Sequence, residues 1–124
     1  MSNAVKKQKV LVVDDHPKVL RFIEIDLKIR GFNVITTTSG REALQLVSSV
    51  HPDIMLLDII MPDMDGLEVL KRLRLFSDLP VIAISASPGE FDDALLLGAN
   101  HFIMKPFNPD EMAKTIRNLI GREE

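Results

Sequence analysis

A chain of 124 residues with 46% apolar composition can build one packed core and has no room for a second domain. Its 15 basic and 18 acidic residues leave a formal charge of −3 with no basic run, which argues against direct nucleic-acid contact. The lack of cysteine excludes disulfides and thiolate metal sites, and no segment reads as a membrane span or secretory signal, so a cytoplasmic location is expected.

Residues 1–7 read as a polar lead-in outside the fold, disordered or left over from cloning; the domain is expected over residues 8–121, with 122–124 as a tail. The first strand is predicted at residues 9–13, an apolar run that stops at Asp14-Asp15-His16. A helix follows over 17–30, where Leu20, Ile23 and Leu27 recur at helical spacing. The second strand is predicted at 33–37 and its helix at 40–50, opened by the capping pair Ser39/Glu42. The third strand, 53–57, ends before Asp58, and Asp65/Glu68 opens a helix over 66–75. The fourth strand, 80–84, is followed by Ser85-Ala86 and by a helix over 89–97 signalled by Ser87, Pro88 and Glu90. The last strand, 101–104, runs into Lys105-Pro106, and Asn108/Glu111 with Pro109 opens a helix over 109–120. Gly31, Gly98 and Gly121 follow helix ends, where a left-handed conformation costs glycine little.

Strict alternation of five strands and five helices predicts an α/β fold, a doubly wound, flavodoxin-like (βα)5 unit with a parallel sheet, and of the common strand orders for such a sheet 2-1-3-4-5 is the one expected. Ligands of such sheets bind beyond the carboxyl ends of the strands, at the switch between strands one and three. Asp14, Asp15, Asp58, Ser85 and Lys105 all stand at such ends. Acids are common at strand-to-helix turns, so any one of them alone reads equally well as a cap. Three carboxylates in one crevice repel one another, however, and a hard dication relieves that repulsion. An oxygen-only donor set suits Mg²⁺, and Lys105 adds a fixed positive charge. His16 reads as an exposed loop residue rather than a ligand, and His51 and His101 belong to no constellation.

At this point the chain resembles the response-regulator receiver family over nearly its whole length. The resemblance is carried by Val12-Val13-Asp14-Asp15, by Leu56-Leu57-Asp58-Ile59-Ile60-Met61-Pro62-Asp63-Met64-Asp65-Gly66, by Ser85-Ala86 and by Lys105-Pro106-Phe107, in that order. It implies that Asp58 accepts a phosphoryl group from a phosphohistidine on a sensor histidine kinase or phosphotransfer protein. It also implies that Mg²⁺ is held by Asp14 or Asp15, by Asp58 and by the backbone carbonyl of Ile60, while Ser85 and Lys105 hold phosphoryl oxygens. Ser85 and Phe102 would form the switch, with Phe102 standing where Tyr is commoner, and the Lys105–Pro106 bond is expected to be cis. The five β/α units use up the chain, so the signal would pass to a downstream protein or to an output domain outside this sequence.

Other readings fit less well. A flavodoxin-like cofactor binder needs hydroxyls and free N–H groups after strand one, where two acids repel phosphate. A haloacid-dehalogenase-type phosphatase carries an acid/base Asp two residues after its nucleophile, where this chain has Ile60. An unphosphorylated interaction module needs the fold without the chemistry, and the full set of acidic, hydroxyl and Lys positions argues against it. Ile60 and Ser87, two residues beyond Asp58 and Ser85, flank the route of a hydrolytic water in the resembling family. Ile60 offers that water no hydrogen bond, and the Ser87 hydroxyl is expected to be engaged in capping, so a long-lived phosphoryl-Asp58 is expected.

Overall fold

The computed structural model describes residues 7–121; apart from residue 7, the expected lead-in and tail lie outside them. Strands β1 (Lys9–Val13), β2 (Asn33–Thr37), β3 (Ile54–Asp58), β4 (Val81–Ser85) and β5 (His101–Met104) alternate with helices α1 (Pro17–Ile29), α2 (Gly40–Val50), α3 (Gly66–Leu73), α4 (Phe91–Leu96) and α5 (Pro109–Ile120). All pairings are parallel, as the alternation predicts, and the order is the expected β2-β1-β3-β4-β5.

The pleat sends successive side chains to opposite faces, and each face of the central strands is apolar for its own set of helices. Leu11, Val13, Met55, Leu57, Val81 and Ala83 pack with Ala43 and Val47 of α2, Val69, Leu70 and Leu73 of α3, and Ala94 of α4. Val10, Val12, Ile54, Leu56, Ile82 and Ile84 pack with Leu20, Ile23 and Leu27 of α1 and Met112 and Ile116 of α5. The register Val13↔Leu57 and Asp58↔Ile84 brings the ends of β1, β3 and β4 level at one edge. That edge carries the site.

Five elements differ from the sequence-based expectation, α1 only in ending at Ile29, with Arg30 as its C-cap. Strands β3 and β4 each run one residue later, because Asp53 is held outside the ladder by mutual bonds with Lys9 and Pro80 contributes only its carbonyl, to the Met55 N–H. Asp58 and Ser85 are therefore the last residues of their strands rather than the first residues of loops. Helix α3 ends at Leu73, beyond which the Leu75 and Phe76 N–H groups bond to carbonyls three residues back and tighten the chain into a turn. The predicted fourth helix divides into a 3₁₀ turn (Pro88–Glu90) and the six-residue α4. Ser39, Asp65 and Asn108 cap their helices through side-chain oxygens. Ser87 makes no side-chain cap bond: Glu90 N–H reaches its backbone carbonyl instead. The expectation that capping engages the Ser87 hydroxyl is corrected accordingly.

Candidate functional site

Strand β1 is buried from Val10 to Val13, and the chain must then leave the sheet, so Asp14 and Asp15 stand at the rim of the core. Asp14 is fixed on both sides. Its N–H donates to the Thr37 carbonyl at 3.2 Å, and its Oδ1 accepts the His16 N–H at 2.9 Å. Its Oδ2 lies 3.2 Å from Lys105 Nζ. Strand β3 delivers Asp58 to the same place, 3.6 Å from that ammonium. Asp14 and Asp58 are each only 3% exposed. One ammonium thus serves two buried carboxylates, with Asp15 beside them.

The site is short of positive charge and of donors. Asp58 Oδ2 and Asp15 Oδ1 are buried and have no hydrogen-bond partner. Buried oxygens without partners cost on the order of 1–3 kcal/mol each, so they mark a place built for something else. The electrostatics agree. Burial, with the Asp14 carboxylate second, pushes the Asp58 carboxyl up to about 6, and the Lys105 ammonium and the Ile60 backbone only partly offset this. Donor atoms of Asp14, Asp15, His16 and Asp58 lie within 4.8 Å of one another, which suits a divalent cation.

The surrounding backbone holds the acids in place. Gly66 N–H donates to the Ile59 carbonyl at 2.7 Å, and a Cβ at Gly66 would come within 2.6 Å of the Asp58 carbonyl oxygen, so only glycine allows this close approach. Ser85, buried at the end of β4, accepts the Ser87 N–H at 3.0 Å and keeps its own proton to donate. The Lys105 N–H donates to the Ser85 carbonyl at 2.9 Å, tying the last loop to β4, and the Lys105–Pro106 bond is cis.

Asp14, Asp15, Asp58, Ser85 and Lys105 are thus collected at one edge. Ile60 sits on the rim with its side chain half exposed. Phe102 lies apart, on β5, with its ring 5.0 Å from that of Phe91. His16 is exposed, as expected, yet its Nδ1 lies 3.1 Å from both Asp14 Oδ1 and Asp15 Oδ1. Adjacency to the two acids and to Pro17 puts it at the mouth of α1, beside the pocket.

A sequence model of the response regulator receiver domain matches residues 10–117. The chain is 40% identical over 123 residues to the probable transcriptional regulator ycf27 of Cyanophora paradoxa, covering 97% of this chain and 51% of that protein. It is 41% identical over 115 residues to the transcriptional regulatory protein KdpE of Mycobacterium tuberculosis, covering 91% and 51%. It spans about half the length of the curated relatives it matches. Among solved structures it is similar to a putative response regulator from Chloroflexus aurantiacus, with a TM-score of 0.88, 31% identity and coverage of 94% of this chain and 100% of that one. It is also similar to the chemotaxis protein CheY4 of Vibrio cholerae, with a TM-score of 0.85, 30% identity and coverage of 91% and 98%.

Proposed function

The chain belongs to the response regulator receiver domain family of two-component systems, and from that premise we propose that Asp58 is its phosphoryl acceptor and that the signal leaves through β5. The observation that carries the proposal is the buried, partnerless Asp58 Oδ2 at the end of β3, facing two further acids and one lysine.

Mg²⁺ fits this donor set, which is rich in carboxylate oxygens and short of positive charge; Asp14, Asp15, Asp58 and the Ile60 carbonyl would hold it. When bound it supplies positive charge against the oxygens of the phosphoryl group. The rest is done by the chain. An Asp58 oxygen attacks phosphorus, the P–O bond forms as the donor's P–N bond breaks, and the electron pair departs with the donor imidazole, which takes up a proton. Charge spreads over the phosphoryl oxygens in such transfers. The Lys105 ammonium, already drawn to Asp14 and Asp58, and the Ser85 hydroxyl, one residue beyond the Asp58 ladder partner Ile84, would receive those oxygens. A sensor histidine kinase or phosphotransfer protein is the donor in this reading. The apolar cleft of about 520 Å³ lined by Val19, Phe22, Pro106 and Phe107 beside Lys105 gives it a seat.

Ser85 and Phe102 form the outward path. Phe102 lacks a hydroxyl, so its response is steric: drawing Ser85 toward a phosphoryl oxygen frees space beside β4, and Phe102 moves away from Phe91 into it. The recipient is a downstream protein or an output domain. In this reading the domain is a signalling element that assists its own phosphorylation and dephosphorylation rather than an enzyme with a separate substrate. Among the described residues no helix is long and apolar enough to cross a membrane, in keeping with a cytoplasmic place.

The test is direct. Incubating the protein with Mg²⁺ and a small acyl phosphate should add one phosphoryl mass to the wild type and none to Asp58→Asn. Full labelling of that variant would remove Asp58 from its role.

A further inference from the structure

We propose that His16 is a nitrogen ligand of the acidic pocket, so that the pocket takes first-row transition dications with His16 coordinated and prefers them to Mg²⁺ by more than its carboxylates alone would. The inference rests on the reading that Asp14, Asp15 and Asp58 hold a divalent cation.

Three observations carry it. His16 Nδ1 lies 3.1 Å from Asp14 Oδ1 and 3.1 Å from Asp15 Oδ1. An ion bound at about 2.0–2.2 Å with ligands at right angles needs neighbouring donors about 3 Å apart, so these are the spacings of adjacent coordination positions. The ring also has no competing task in the fold. His16 stands at the N-cap of α1 but makes no side-chain cap bond, and the ring's hydrogen-bond partner, Asp14 Oδ1 at 3.1 Å, belongs to the pocket itself and already accepts the His16 backbone N–H. Finally, the pocket wants a cation independently of His16, because Asp58 Oδ2 is partnerless on a residue only 3% exposed.

The chemistry then sets the preference. Carboxylate, carbonyl and water oxygens suit Mg²⁺, whereas imidazole suits Ni²⁺, Zn²⁺ and their neighbours. His16 Nδ1 already lies against both acids, so coordination would need no rebuilding of the loop. The exposed ring can equally swing outward, which leaves an all-oxygen site for Mg²⁺.

Calorimetric titration of the untagged chain with Ni²⁺ and, separately, with Mg²⁺ tests this in the wild type, His16→Ala and Asp15→Asn. His16→Ala should weaken Ni²⁺ by about tenfold or more and change Mg²⁺ by less than about threefold, while Asp15→Asn should weaken both. Equal losses for both ions in His16→Ala would mean that the ring acts only through the carboxylates, and unchanged Ni²⁺ affinity would mean adventitious binding elsewhere; either overturns the inference while the cation pocket stands. Wild-type protein that binds neither ion would bring down the pocket itself, and the inference with it.

Discussion

Leu57 and Asp58 are consecutive residues of one strand and water reaches neither, yet their surroundings are opposite. Leu57 belongs to an apolar cluster drawn from β1, β4 and three helices, and its burial stabilises the fold. One residue on, Asp58 meets Asp14, Asp15 and a shared ammonium, with one oxygen unpartnered. The strand interiors are therefore satisfied and their carboxyl ends are not. The same sheet that supplies the stability holds three acids where they would not gather by themselves. A buried carboxyl pushed up to about 6 is the electrostatic expression of that strain.

Substitutions on either side of this boundary should have opposite signs. Leu56→Ala removes a fully buried side chain and should cost roughly 2–5 kcal/mol in urea unfolding. Asp58→Asn should instead stabilise the metal-free protein at neutral pH, by roughly 1–3 kcal/mol. The pH dependence has a definite sign. The folded state holds the Asp58 proton up to about 6 against an ordinary value of 3.8 in the unfolded chain, so the wild type loses stability as pH rises through that window. The advantage of Asp58→Asn should therefore grow between pH 4 and pH 7 in chelator and vanish near pH 4. An advantage independent of pH would mean that the acids are not in conflict.

A smaller effect separates genuine caps from an apparent one. Ser39→Ala and Asn108→Ala should each cost about 1 kcal/mol, since each removes an oxygen that accepts a helix N–H. Ser87→Ala should cost only a few tenths, because its side chain caps nothing. Equal losses at all three positions would contradict the description of the fourth helix. If Asp58 is the acceptor, the half-exposed Ile60 at the rim would shield it without orienting water, so Ile60→Asn should shorten the phosphoryl-Asp58 lifetime by roughly fivefold, the equivalent of one hydrogen bond of about 1 kcal/mol. An unchanged autodephosphorylation rate would refute the water-positioning role.

The architecture was readable because apolar periodicity and capping signals agreed over most of the chain: β1, β2, β5, α2 and α5 lie where periodicity places them. What escaped depends on tertiary pairing. Whether Asp58 closes a strand or opens a loop is decided by its ladder partner Ile84, 26 positions away in the chain, which local pattern cannot report. The Ser87-Pro88-Glu90 signature failed because the Ser87 N–H is held by the Ser85 side chain, turning the residue toward β4 rather than into a helical cap. His16 is the exposed loop residue that the sequence predicts, and only the fold shows its ring lying along two carboxylates. The acids themselves were legible, since each ends an apolar run at a strand end.

Thermal unfolding with and without Mg²⁺, in wild type and Asp58→Asn at neutral pH, tests most directly whether the unsatisfied carboxylates exist to hold a cation. The account predicts that wild type starts below the variant and that millimolar Mg²⁺ raises the wild-type midpoint clearly and the variant's less, through ligation to the native state alone. A wild-type midpoint unmoved by Mg²⁺, or an equal rise in both proteins, would contradict it.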